Sequence, residues 1–303
     1  MNGLRGLLGA ELRRFFSRRV MHAMFAFGIA LATFVLVLQF VRSDVSRSVS
    51  GSPNIVCNGP TSGPATAQTF GTLPPDCYKQ FGTEIVTRDR RMHVHNTFRD
   101  TVNGTGVAMV FVAFVSGASF VGAEFGAGSL STQLLFEPRR KRVVAVKAVA
   151  VGIGLAALST ALLLYIGILQ WIGSSLRGVA GGLDGAWFAG RAADMGRVAA
   201  AVGLAGIAAY AITVVARRTV AAVAGLLIVG WASAIIGQFH AWRWVAKDNP
   251  ATAFIAMAVD PSRQQHNGGS DVLSTRASSV SALGWAVGLT LAAAFIFDRR
   301  EVR

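Results

Sequence analysis

The sequence is poor in charged residues. Asp, Glu, Lys and Arg make up 15% of its 303 residues, against roughly 25% in an ordinary globular protein. Hydrophobic residues make up 52%, and they are concentrated in long blocks. This distribution excludes a pair of ordinary soluble domains and predicts an all-α membrane protein.

Sequence signatures of catalysis are absent too. No G-x-x-x-x-G-K-[ST] loop is present, so we expect no ATPase activity in this chain and no cofactor bound by it. No G-x-S-x-G or H-E-x-x-H motif occurs, and no apolar block contains paired carboxylates. We therefore expect neither an enzyme nor a metal site. Because ionisable groups are scarce inside the blocks, any transport should be driven from outside them.

The net charge of +14 has a membrane explanation. The cations flank the apolar blocks, as expected for residues that set orientation and contact anionic lipid. The chain has no RNA-binding signature, and we expect no nucleic-acid partner.

Cysteine is rare. Cys57 and Cys77 both fall in the polar segment 42–104. On an oxidising outer side they would form a disulfide, and the alternative is two free thiols. His93 and His95 form an H-x-H pair in the same segment, which would bind a metal only from a strand and with a third ligand.

The apolar blocks predict six transmembrane helices, at 20–41, 105–123, 143–172, 198–216, 219–239 and 280–297. Residues 1–19 repeat leucine at helical spacing among arginines, which predicts an amphipathic helix at the membrane interface. The first apolar block is 22 residues long, against about 7–15 in a signal peptide, so we expect an uncleaved span.

The cations also predict orientation. With the N-terminus inside, the inner segments carry 14 Lys and Arg in 48 residues, and the outer segments 42–104, 173–197 and 240–279 carry 14 in 128. This asymmetry predicts cytoplasmic N- and C-termini. Within 240–279, an apolar stretch bracketed by prolines is too short to span, and it predicts a re-entrant helix or a helix at the outer surface.

The segment between the second and third spans, 124–142, is the most distinctive. Glu124 ends one apolar block, and a short amphipathic piece contains Leu130, Leu134 and Leu135. Pro138 then ends this piece, and four cations follow in a loop: Arg139, Arg140, Lys141 and Arg142. The loop either fixes topology alone or docks a soluble partner. Lys147, just inside the third span, is expected to extend back to the interface.

This segment resembles the membrane subunits of ABC transporters of the ABC-2 class, also called type V exporter-like. The family pattern is an acid before G-[TS]-L-x-x-x-L-L-x-x-x-P-x-R, with a later lysine. The matching positions are Glu124, Gly128, Ser129, Leu130, Leu134, Leu135, Pro138, Arg140 and Lys147. The EPRR run at 137–140 is similar to the actinobacterial branch, and the C-terminal run 297–302 is similar to the family's closing signature.

The resemblance implies a single ABC-2 transmembrane domain over 1–303, in the plasma membrane of a bacterium. Residues 129–137 would form a coupling helix that docks on a separate ATP-binding subunit, present in two copies and holding ATP and magnesium. A second permease subunit, identical or related, would complete the transporter. Glu124 would pair with an arginine of the loop. Separately, the spans consist mainly of Ala, Val, Leu, Gly and Phe, so we expect an exported substrate that is amphipathic or hydrophobic, such as a drug, a lipid or a lipid-linked molecule.

Two other classes stay open. A membrane scaffold or regulator that retains the fold would need no ATPase partner. A polytopic membrane enzyme would need polar residues clustered near one face of the spans, and the sequence shows no such cluster.

Overall fold

A computed structural model gives the architecture of the chain. It describes residues 2–43, 54–57, 77–80, 92–136, 139–179, 183–220, 223–225, 228–229, 232, 249–259 and 274–299.

The described residues are mainly helical. The helices are α1 (Asn2–Ser17), α2 (Arg19–Arg42), α3 (Val94–Gly126), α4 (Ser129–Phe136), α5 (Arg140–Arg177), α6 (Gly185–Ala216), α7 (Pro250–Ala258) and α8 (Thr275–Arg299).

Five of these helices, α2, α3, α5, α6 and α8, are long and apolar enough to cross a membrane within the described part of the chain. The prediction of a helical membrane protein is thereby confirmed. The predicted fifth span, 219–239, lies largely outside the described residues, although the few described positions between 219 and 232 are helical. The total of six spans stays a prediction.

The helices extend beyond the predicted spans. α3 begins at Val94 and α6 at Gly185, whereas the apolar blocks begin at 105 and 198. The side chain of Asp184 accepts a hydrogen bond from Trp187 N at 2.7 Å and so caps α6. Residues 94–100 form the first turns of α3.

Contacts between helix ends define two ends of the bundle. At the proximal end (residues 17–19, 124–147, 216–219 and 297–299), Lys141 Nζ lies 3.1 Å from Asp298 Oδ2 and joins the start of α5 to the end of α8. At the distal end (residues 39–43, 92–101 and 170–187), the rings of Phe98 and Trp187 lie 5.9 Å apart. α2 and α5 therefore run from the proximal to the distal end, whereas α3, α6 and α8 run toward the proximal end.

The core lies where α3, α5 and α6 pack together. α3 and α6 approach most closely at Gly117 and Gly206, where a Cβ on Gly117 would overlap the carbonyl oxygen of Gly206. Small residues at this crossing allow the two backbones to touch, as is typical of membrane helices.

The short helix α7 is buried among the long ones. Asn249 caps it by accepting a hydrogen bond from Thr252 N at 3.0 Å. The ring of Phe254 lies 6.1 Å from that of Phe114, which is well inside α3, twenty residues from its first residue. α7 therefore packs against the middle of α3, and the re-entrant helix stays a prediction.

Two short strand pairs depart from the expected all-α fold. β1 (Asn54–Cys57) pairs antiparallel with β2 (Cys77–Gln80), and β3 (Met92–His93) pairs parallel with β4 (Gly178–Val179). The β-branched residues of β1 favour a strand, but the prolines and glycines around them obscured it. β3 ends at His93 and His95 belongs to α3, so the strand that an H-x-H metal site requires is not formed.

Candidate functional site

A buried cluster of charges joins three helices at the proximal end. Glu11 comes from α1, Glu124 from the last turns of α3 and Lys147 from the second turn of α5. The side chains of the two acids are 2% exposed and that of Lys147 is 0% exposed. Lys147 Nζ lies 3.0 Å from Glu11 Oε2, 3.0 Å from Glu124 Oε1 and 2.9 Å from Glu124 Oε2. We call these three residues the charge cluster.

The position of Lys147 corrects the expectation that it extends back to the interface. Its ammonium points into the bundle, because two carboxylates replace the water that it would lose on burial. The ring of Phe120 lies 5.7 Å from the same nitrogen and covers one side of it.

Arg18, at the junction between α1 and α2, contacts the charge cluster. Its Nη2 lies 3.0 Å from Glu124 Oε1, and its Nη1 donates to the carbonyl oxygen of Phe120 at 2.7 Å. The guanidinium also lies 4.4 Å from the centre of the Phe120 ring. The junction of α1 and α2 is thereby fixed to the end of α3.

Glu11 reaches the cluster because of its place on α1. It lies one turn before Phe15, and both side chains are buried, so they form the inward face of the helix. Arg14 flanks this face, with Nη1 3.2 Å from Glu11 Oε1. The helix predicted to lie on the membrane surface therefore packs on the bundle through an acid and an aromatic ring.

The short helix α4 is hydrogen-bonded to the charge cluster. Gln133 Nε2 donates to Glu11 Oε1 at 2.7 Å, and Gln133 Oε1 accepts from Arg14 Nη1 at 3.3 Å. Gly128, with a φ of +65°, makes the turn that separates α4 from α3, a conformation that glycine adopts at little cost. Movement of α4 would therefore act on α1 through Gln133.

The outer face of α4 is exposed, and it carries Ser129 and Thr132 as well as Leu135. The side chain of Leu135 is 83% exposed, and Ser129 at the start of the helix is exposed as well. Pro138 and the side chains of Leu130 and Leu134 lie outside the described residues. The structure thus forms a helix at Ser129–Phe136, within the predicted coupling segment, with a large leucine uncovered on it.

The four cations after Pro138 were expected to lie in a loop, but three of them belong to a helix. Arg139 precedes α5, while Arg140, Lys141 and Arg142 form its first turn. Cations at a helix N-terminus oppose the helix dipole, and the carboxylate of Asp298 beside Lys141 offsets part of this. The expected pair between Glu124 and a loop arginine is also wrong, because Arg18 and Lys147 occupy that carboxylate.

The candidate cysteines occupy opposite positions in the register of the strand pair β1–β2. Cys57 is the register partner of Cys77, and directly opposed residues of antiparallel strands have Cα separations that a disulfide can bridge.

The sequence interpretation missed three members of the site: Glu11, Arg18 and Gln133. Glu11 gave a usable signal. It is the only acid in residues 1–43, and it occupies the apolar stripe of an amphipathic helix, where a charge needs a buried partner. Arg18 and Gln133 gave no comparable signal, since nothing distinguishes them from neighbouring polar residues.

No protein-family model matches the chain, and no curated protein is significantly similar to it.

Proposed function

We propose that this chain is the membrane-spanning permease subunit of an ATP-driven transporter of the ABC-2 class, powered by a separate ATP-binding subunit. In this proposal the proximal end faces the cytoplasm of a bacterium, and the chain has six spans. The proposal is supported by a bundle of five membrane-length helices and by a short exposed helix, α4, at its cation-rich end.

One observation carries the proposal: α4 has an uncovered leucine on one face and a hydrogen bond to the charge cluster on another. Leu135 is the kind of apolar anchor that inserts into a cleft of a partner protein. Arg139 and Lys141, both exposed beside it, would meet acidic groups of the same partner.

A series of side-chain contacts connects the docking helix α4 to the interior of the bundle. When the ATP-binding subunits close, they displace α4, and Gln133 pulls on Glu11 and Arg14. Glu11 transmits the displacement through Lys147 to α5 and, through the shared ammonium, to Glu124 of α3. Because these groups are buried and within 3.0 Å of one another, they move together rather than slide.

The transporter would contain two such subunits, identical or related. Only 6% of the α2 span is buried within the chain, which leaves most of its apolar surface to a second subunit or to lipid. The mainly apolar spans favour an amphipathic or hydrophobic substrate.

Co-purification of a partner tests the proposal. The chain is expressed with its chromosomal neighbours and purified in mild detergent, as wild type and as Leu135→Asp. The matched control is Leu176→Asp, at an exposed leucine near the distal end of α5 (68% exposed). We expect an ATP-binding subunit to co-purify with the wild type and with Leu176→Asp but not with Leu135→Asp.

Two results would overturn the proposal. If a well-folded preparation contains no ATPase, the chain is better explained as a membrane scaffold or regulator. If an ATPase remains bound to Leu135→Asp as tightly as to the control, α4 is not the docking element.

A further inference from the structure

A second feature of the fold, remote from the charge cluster, is a cavity of about 540 Å³ between α2, α3 and α5. Its size lies within the range of small-molecule sites in proteins. Neither the docking of α4 nor the charge cluster involves it.

The cavity is elongated, and most of its wall is apolar. Met24, Leu31 and Val35 of α2 face Val112 of α3 and Leu158 and Leu162 of α5 across it. Along α2 the lining runs from Met21 to Gln39, which is about 27 Å of helix at 1.5 Å per residue. A long and narrow apolar wall of this kind fits an extended alkyl chain.

The distal end of the cavity is lined by polar groups. Gln39 lines this end, and its buried Oε1 has no hydrogen-bond partner in the part of the chain that the structure describes. Asp100 and Thr101 line the same end, and the Thr101 hydroxyl accepts a hydrogen bond from Gln170 Nε2 at 2.6 Å. An amide oxygen and a carboxylate both accept hydrogen bonds, so the matching ligand group is a donor and carries positive charge.

The position of α2 gives membrane molecules access to the cavity. α2 is the least buried of the five membrane-length helices. A hydrogen-bonded contact between Thr33 Oγ1 and Tyr165 OH, at 2.8 Å, ties it to α5. A molecule dissolved in the bilayer can therefore enter beside α2 without crossing water.

We propose that this cavity binds an amphiphile with an extended alkyl chain and an ammonium head group. The alkyl chain lies along α2, and the head group donates to Gln39 and Asp100 at the distal end. Binding itself does not depend on the chain being a transporter; only the further step, that such a molecule is the exported substrate, rests on the proposed function.

A photoaffinity experiment tests the site without any ATPase. The full chain is placed in nanodiscs of phosphatidylcholine and labelled with dodecylamine that carries a diazirine at the end of its alkyl chain. We expect labelled peptides from α2, α3 and α5 at the cavity. Unlabelled dodecylamine should compete about tenfold or more better than dodecyl sulfate or dodecanol, because only the ammonium is a cationic donor that matches the acceptors at the distal end.

Two variants separate a site from general lipid contact. Ala108→Trp fills the cavity from α3, where Ala108 lines it, and should remove most of the labelling. Ala30→Trp adds the same bulk to the exposed, opposite face of α2 and should leave the labelling unchanged. Asp100→Asn should reduce the preference for dodecylamine over dodecyl sulfate, and this result stands even if Ala108→Trp fails to fold.

Labelling that survives in well-folded Ala108→Trp, or competition by dodecyl sulfate equal to that by dodecylamine, would overturn the proposal. A further measurement, with phosphatidylethanolamine in the nanodisc, identifies the source of the ligand. If phosphatidylethanolamine in the nanodisc competes with the probe, the natural occupant is an amine-bearing membrane lipid. If it does not, the site selects a free cationic amphiphile.

Discussion

Lys147 and Glu11 form a buried ion pair, with Nζ and Oε2 3.0 Å apart, although 136 residues separate them in the chain. This contact fixes α1 to the start of α5. Because an unpaired ammonium is very unfavourable inside a bundle, Lys147 is stable there only while its carboxylate partners remain. The N-terminal helix is therefore part of the structural core at the proximal end.

Lys147→Met should be strongly destabilising. The substitution leaves two acids buried without their shared cation, which costs about 3–5 kcal/mol of the free energy of unfolding. Thermal unfolding of the purified chain in detergent measures the effect. In the same background Glu11→Gln should restore part of the loss, since it removes one of the two buried carboxylates that have lost the ammonium.

Lys141→Met is the matched control for this prediction. Lys141 and Asp298 are 64% and 43% exposed, and such an ion pair contributes about 0–1 kcal/mol. Equal losses of stability from the two lysine substitutions would show that Lys147 is not a buried cation.

Part of this fold follows from the sequence alone. Long apolar blocks predicted where the membrane-length helices lie, because the bilayer requires about 20 apolar residues. The helix ends were harder to predict, because Asp100 and Asn103 interrupt the apolar window without breaking the helix. Hydropathy reports the environment of a segment, whereas helix length depends on capping groups such as Asp184.

The charge cluster was less predictable for a physical reason. A sequence shows that Glu124 and Lys147 flank a loop, but it does not show which distant charge approaches them. A loop arginine near in sequence was the expected partner of Glu124, whereas Arg18, at the junction of α1 and α2, pairs with it. Glu11 of α1 pairs with Lys147. Only tertiary packing brings residues 11 and 18 beside residues 124 and 147.

Gly117→Ala should weaken the packing of α3 against α6. The added methyl group would overlap the carbonyl oxygen of Gly206, so the backbones must separate, and overpacking of this kind costs about 1–3 kcal/mol. Gly104→Ala is the control on the same helix, since nothing lies within 4 Å of its added Cβ. We expect a lower unfolding temperature for Gly117→Ala and an unchanged or slightly higher one for Gly104→Ala. The reverse order would contradict the close approach.

Cys57 and Cys77 should be joined in the mature protein. A digest without reductant should contain one cross-linked peptide pair that includes both cysteines, and reduction should separate it. Closing this loop stabilises the chain by about 3 kcal/mol, so reductant should lower the unfolding temperature of the wild type. It should leave a Cys57→Ser, Cys77→Ser double variant unchanged. Two free thiols in protein purified from membranes would refute the pairing.

The central claim is that α4 passes the motion of an ATP-binding partner to the charge cluster through Gln133. The most direct test is hydrogen exchange of residues 2–17 in the purified complex, with and without ATP, comparing Gln133→Ala with wild type. Thr132→Ala, at an exposed neighbour on α4, is the control.

We predict an ATP-dependent change in the exchange of α1 in wild type and in Thr132→Ala, and its loss in Gln133→Ala. The partner should stay bound in all three proteins, because Leu135 is intact. If the ATP-dependent change persists in Gln133→Ala, force does not travel through this hydrogen bond, and the proposed coupling path is wrong.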